Sequence, residues 1–276
     1  MLTGAAGFVG ISLGVVALSA CAYPPNKQFR DERTVDTAIT SVILTGGPGS
    51  VTITGSADGT IHVKRHVRYR DKKPGETDSV AGDALTLNTS CGRSCWVDYD
   101  VAAPKGVKVA GRVSSGDVTL RNIATASIAV DSGNVRIRGA SGDVTARSSS
   151  GDLDLADIAG TVASHTDSGN IRLAGVTGTA DAETSSGDIV ASDLHGSRTS
   201  THTDSGNVTL RLASTQDVDT QTSSGDVRLT VPSGQSYRVA VSSSSGDKHV
   251  GVTSEATAAH QLKVHTDSGN ITIDQA

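Results

Sequence analysis

Apolar and polar residues alternate along most of the chain, in short runs that follow one recurring phrase. Val118-Thr119-Leu120, Val135-Arg136-Ile137, Leu153-Asp154-Leu155, Ile171-Arg172-Leu173, Val208-Thr209-Leu210, Val227-Arg228-Leu229 and Ile271-Thr272-Ile273 all read apolar, polar, apolar. Alternation with period two predicts a strand with one buried face. Ile189-Val190-Ala191 is a weaker member, and Lys248-His249-Val250 breaks the rule with a lysine at an apolar position. The phrase before each run is a small or acidic residue, Ser-Gly, then Asp or Asn. Its glycines fall at 116, 133, 151, 169, 187, 206, 225, 246 and 269, a spacing near 18 that widens to 21 and 23 at the end. A fixed period of this size marks a repeat architecture.

Residues before each phrase form a second apolar set. Val162, Ala182, Val218, Thr220, Val239, Val241, Leu262 and Val264 lead to Val130, Thr166, Thr184, Thr203, Thr222 or Thr266 as the last inward position in most coils. Each coil is therefore strand, bend, strand and Ser-Gly turn, around a narrow interior that carries hydroxyls. Glycine supplies the positive φ of the turn, and Asp, Asn and Ser bond the local backbone. One coil cannot bury its own apolar edge, but stacked coils can. The expected fold is all-β, a parallel β-solenoid (β-helix) of about 18-residue coils. The closing coils, with their longer spacing, are expected to be looser.

The phrase alternates almost without fault between Ser-Ser-Gly-Asp and Asp-Ser-Gly-Asn. Carboxylates stacked at about 4.8 Å would repel by roughly 1 kcal/mol in water. Alternation separates like charges by two coils. A rival geometry is a coil of about 36 residues in which Asn stacks only on Asn.

The regular coils occupy 111–276, and 35–110 reads as irregular N-terminal β coils. Residues 1–20 carry no charge, and Gly7–Leu18 is apolar but too short to span a bilayer. It fits an export signal, although no Lys or Arg precedes it. Leu18-Ser19-Ala20-Cys21 resembles the bacterial lipobox, which implies cleavage before Cys21, lipidation of that cysteine and a membrane anchor on the outer face of the cell membrane. Residues 21–34, with two prolines, read as a flexible tether. In Ile61–Arg70, Ile61, Val63, Arg65, Val67 and Tyr69 share one side, and Lys64, His66, Arg68 and Arg70 the other. With Lys72 and Lys73 this is the basic cluster of an acidic chain. It reads as a solvated edge strand or as a contact for anionic headgroups or wall polymer. Asp71–Asp83 reads as a polar loop. Cys91 and Cys95 remain an even pair in an exported chain, which favours a disulfide over a free or redox-active pair. Trp96 beside them is expected to cap the solenoid.

The chain has 276 residues and a formal net charge of −5. Residues 100–236 hold no Phe, Tyr or Trp. That argues against a sugar-cleaving enzyme or a tight lectin, and the charge argues against nucleic acid. His165, His202 and His265 each precede Asp167, Asp204 or Asp267 by two residues and point outward by strand parity. Solvated surface is favoured over a metal site there. Nothing suggests catalytic residues, a cofactor, a metal or a small-molecule substrate.

The Ser-Gly-Asp turns, the apolar-x-apolar strands and Ala103-Pro104-Lys105-Gly106-Val107 resemble a bacterial envelope β-solenoid family of unknown function, known as putative adhesins. The resemblance covers roughly residues 35–276. It implies an exported or membrane-tethered β-solenoid, sometimes near envelope-stress signalling, and carries over no catalytic residues. The expected role is a lipid-anchored adhesin or scaffold that meets envelope polymer or a membrane protein by weak repeated contacts. The alternatives are an envelope-stress accessory acting through the basic cluster, and a polysaccharide-active enzyme.

Overall fold

The computed structural model describes residues 26–57 and 59–276. The expected export signal and Cys21 lie outside the described residues. The irregular N-terminal strands are β1 (Lys27–Val35), β2 (Ser41–Thr45), β3 (Val51–Ser56), β4 (Ile61–Tyr69), β5 (Asp78–Ala81), β6 (Ala84–Asn88) and β7 (Trp96–Pro104). The regular coils supply β8 (Lys108–Ser115), β9 (Val118–Ile123), β10 (Ala126–Ser132), β11 (Val135–Ala140), β12 (Val144–Ser150), β13 (Leu153–Ile158) and β14 (Val162–Ser168). They continue as β15 (Ile171–Val176), β16 (Ala180–Ser186), β17 (Ile189–Leu194), β18 (Arg198–Ser205), β19 (Val208–Leu212), β20 (Asp217–Ser224) and β21 (Val227–Val231). The last are β22 (Ser236–Ser245), β23 (Lys248–Val250), β24 (Thr253–Ser254), β25 (Gln261–Ser268) and β26 (Ile271–Gln275).

These strands form two 13-stranded sheets. The strands after each Ser-Gly turn build one, and the strands before it build the other. Coils stack in parallel: Val118 pairs with Val135, Val135 with Leu153 and Leu153 with Ile171, all fully buried. The coil is therefore 18 residues, not 36. Thirteen strands at about 4.8 Å give a rod of about 58 Å, longer than the nine turn phrases alone imply.

Stacking explains the turn chemistry. Gly133 has φ +151°, and a Cβ there would lie 2.3 Å from the Gly116 carbonyl oxygen below it. Beside this column runs a ladder of the last phrase residue. Each backbone N–H donates to Oδ1 of the residue beneath, at 2.7–3.0 Å: Asn134 to Asp117, Asp152 to Asn134, Asn170 to Asp152, Asp188 to Asn170, Asn207 to Asp188 and Asp226 to Asn207, then Asn270 to Asp226 and Asp247 to Asn270. The Asn side-chain amides of 134, 170, 207 and 270 also donate to those same Asp oxygens. Asp and Asn thus stack on each other, and like charges sit two layers apart. Inside the turns, the hydroxyls of Thr166, Thr184, Thr203, Thr222 and Thr266 donate to glycine carbonyls of the layer beneath at 3.1–3.2 Å. The hydroxyl row in the core satisfies acceptors that the turns would otherwise orphan.

A second corner repeats over two coils. Asn122, Asp157 and Asp193 adopt positive φ, and Gly139 and Gly175 take the alternate layers. A Cβ on Gly139 would lie 3.0 Å from Asn122 Oδ1, so a side chain in one layer needs a glycine in the next. The geometric repeat is one coil, and the chemical repeat is two.

Both ends depart from sequence order. At the C-terminus, β25 and β26 lie between β20–β21 and β22–β23. The expected looser closing coils are instead interleaved, with the last one inserted below its predecessor. Lys248–Val250 breaks the alternation because β23 is the outermost strand and is exposed throughout. At the other end, β2–β3 stack on β8–β9, and β6–β7 stack outside them. The antiparallel strands β4, β1 and β5 then close the rod.

Two expectations are corrected here. The stretch read as a flexible tether to residue 34 is strand β1 from Lys27, held by antiparallel pairing to β4. The polar loop Asp71–Asp83 contains β5, a hairpin partner of β6. Neither has an alternating pattern, because backbone pairing and ion pairs hold them rather than a buried apolar face. Accordingly β4 is not an edge strand, since β1 covers it.

Candidate functional surfaces

The basic cluster lies on β4 and the loop after it, between acidic residues of β1 and β7. On the outer face, Lys64 stands 3.9 Å from Glu32 and Arg68 3.1 Å from Asp98. His66 lies between, and burial beside the Arg68 cation pushes its imidazole below the usual range. Glu32, Lys64, His66 and Asp98 border an open concavity of about 510 Å³ that also takes in Arg30, Tyr99 and Asp100, and Arg68 lies outside it. Lys73 packs its ammonium 4.4 Å above the Phe29 ring, and Phe29 meets Tyr69 edge-to-face at 5.9 Å. Lys72 and Arg70 are exposed. The five cations therefore do not act alike: Lys64 and Arg68 lie against carboxylates, Lys73 lies over the Phe29 ring, and Arg70 and Lys72 are exposed at the end of β4 where β1 begins.

Under the same strands lies a polar knot that sequence reasoning missed. Arg65, on the side of Ile61, Val63 and Val67, donates to both oxygens of Asp31 at 2.6 and 2.8 Å and to the Thr77 hydroxyl at 3.1 Å. The hydrogen bonds from Arg65 hold the Asp31 carboxyl below its usual range. Thr77 meets the Tyr99 hydroxyl at 2.6 Å, and burial pushes that phenol upward. Asp78 is buried and paired with Arg33. The partners are separated by 34 and 45 residues in sequence, so only the fold brings them together.

Cys91 and Cys95 are joined, with Cα atoms 5.1 Å apart. Trp96 follows, half-buried and bridged to Ser90. Along the solenoid the outward rows mix charged and hydroxyl residues, and an open hollow of about 500 Å³ lies over Asp188, Asn207, Asp226, Arg228 and Asn270. His165, His202 and His265 point outward to Asp167, Asp204 and Asp267 at 3.2, 3.3 and 3.1 Å. Asp154 bridges Arg136 and Arg138 at 3.2 and 2.9 Å on the other sheet. Among the described residues no group of three or more His, Cys, Asp or Glu is arranged to hold a metal ion.

Two solved structures resemble the chain. A putative adhesin from Bacteroides fragilis is 15% identical, with 91% of this chain and 98% of that one covered at a TM-score of 0.47. A putative cell adhesion protein from Clostridium sporogenes is 11% identical, with 91% and 100% covered at a TM-score of 0.25. No curated protein matches the chain. The Toastrack DUF4097 family model matches residues 39–274, nearly the whole solenoid, and the chain belongs to that family.

Proposed function

We propose that the protein is an exported rod, lipid-anchored at Cys21 outside the cell membrane, that serves as an adhesin or envelope scaffold. The observation that carries this reading is the Asp–Asn ladder, which repeats layer after layer along one exposed edge of the rod. Each contact on such an edge is weak, and binding accumulates by avidity along the rod. The adhesin names of the two similar structures are compatible with it. The partner is an envelope polymer or membrane protein, and no enzymatic step is assigned. The test removes residues 153–188, which joins Asp152 to Ile189 and keeps the Asp–Asn order with Asn207. Binding to isolated cell envelopes should weaken in proportion to the lost length, and its abolition would refute repeated contacts.

A second reading has its own observation, the basic outer row of β4, where Lys64 and Arg68 meet acids of β1 and β7. There the protein would assist an envelope-stress sensor through one surface. Arg68→Glu with Arg70→Glu would then abolish the effect, and removal of residues 153–188 would not.

A further inference from the structure

Charge is distributed unevenly along the rod. Residues 26–104, through the end of β7, carry ten Lys or Arg against ten Asp or Glu, and residues 105–276 carry fourteen against nineteen. The long solenoid is thus acidic, and the end that includes β1, β4 and β7 is neutral overall. Within that end the acids Asp31, Glu32, Asp78 and Asp98 are taken up by Arg65, Lys64, Arg33 and Arg68. Lys27, Arg70, Lys72, Lys73 and Arg93 are exposed at this end, as are the acids Asp71 and Glu76 beside the lysines. Lys27 reaches the Asp71 carbonyl, which ties the first strand to the lysine loop. Lys72 and Lys73 face the disulfide loop at Cys91 and Gly92 across an open hollow of about 580 Å³. Phe29 and Tyr69 lie at the same end, and Trp96 pairs with Arg68 at its margin. Aromatic side chains beside exposed cations suit the interface between water and lipid headgroups.

The chain outside the described residues points the same way. Cys21 precedes Lys27 by six residues, which span at most about 20 Å. A lipid on Cys21 would hold this end within that distance of the bilayer. We infer that the rod stands end-on against anionic phospholipid, with Lys27, Arg70, Lys72, Lys73 and Arg93 meeting the headgroup phosphates. The acidic solenoid is repelled from the same surface and projects outward. This inference rests on the anchoring proposed above, but its test does not require the anchor.

Residues 22–276 contain every described strand and serve as the lipid-free probe. They are floated with vesicles of phosphatidylcholine containing roughly 30% phosphatidylglycerol, and with phosphatidylcholine alone, at about 0.05 M salt. The probe should partition onto the anionic vesicles only. Lys72→Gln with Lys73→Gln should lower partitioning about 25-fold, at about fivefold per lysine, with the melting temperature lowered by no more than about 3 °C for the lost Lys73–Phe29 contact. Arg121→Gln with Arg138→Gln, on a solenoid face, should leave it intact. Failure of the probe to float, no loss in the lysine variant, or an equal loss in the arginine variant would overturn the end-on contact. Acyl labelling of the full chain against Cys21→Ser reports separately on the anchor, so the two readings can fail independently.

Discussion

Replacing Asn170 by Asp tests the alternating ladder directly. Asn170 sits between Asp152 and Asp188, donating to one and accepting from the other. Its side-chain amide also donates to Asp152 at 3.3 Å. In Asn170→Asp three carboxylates occupy consecutive layers about 4.8 Å apart. Each new pair repels by about 0.9 kcal/mol in water, and several times that at a lower effective dielectric. The ladder is solvent-exposed, with 45% of the Asp152 side chain accessible, so the water value is the better guide. Arg172, 3.7 Å from Asp152, offsets part of it. Two new neighbours and one lost hydrogen bond give a cost of about 2–3 kcal/mol. The repulsive part should shrink in 1 M salt, where the screening length is about 3 Å. It should also vanish in acid. Repulsion raises the folded pKa of the new carboxyl, so the penalty holds above that value and is relieved once the group is protonated. Asp188→Asn creates only an amide ladder and should fall within about 0.5 kcal/mol of the parent. The assay is the urea midpoint at low and high salt, followed by circular dichroism. A low-salt Asn170→Asp that matches Asp188→Asn, or a deficit indifferent to both salt and pH, would refute the electrostatic account.

Three further outcomes follow from the same stacking. Gly169→Ala should cost about 3 kcal/mol or more, because φ there is +155° and the new Cβ would lie 2.2 Å from the Gly151 carbonyl oxygen; thermal unfolding reads this. Thr203→Val keeps the shape but strips the donor from the Gly187 carbonyl, and should cost about 1–3 kcal/mol in the same measurement. Asp217 accepts the Gln261 N–H at 2.9 Å, and that bond, with His260 beside it, holds its carboxyl below the usual range. A depressed carboxyl stabilises above its unfolded pKa and loses that contribution as pH falls through the folded value. The protection of the Gln261 amide, its exchange rate relative to the free peptide rate, should therefore fall as pH drops below about 4 in the parent, and should not change with pH there in Asp217→Asn.

The coil, its two strands and its register were legible because one phrase recurs and each apolar residue has the same neighbour above and below. The hydroxyl row at Thr166 to Thr266 was legible as position, though not as hydrogen bonding. Strand β1 was not, because Lys27–Thr34 has no apolar face and is held by pairing with distant β4. The basic cluster could be counted from sequence, but not sorted. That Lys64 and Arg68 lie against carboxylates, and Lys73 over the Phe29 ring, depends on β1 and β7. The interleaved C-terminus did leave a trace. In sequence Asp226 is followed by Asp247, the single fault in the alternation. In space Asn270 lies between them, and the alternation is complete.

That interleaving separates the order of synthesis from the order of assembly. A ribosome releases residues 236–250 before 261–275, yet the earlier segment rests on the later one. The nascent rod cannot simply zip upward from its N-terminal layers. Its outermost layer must wait, or first settle on the Asp226 layer and then be lifted away, until the final strands slide beneath it. Trimming the chain from its tail would therefore excavate an interior floor of the rod instead of shortening its tip.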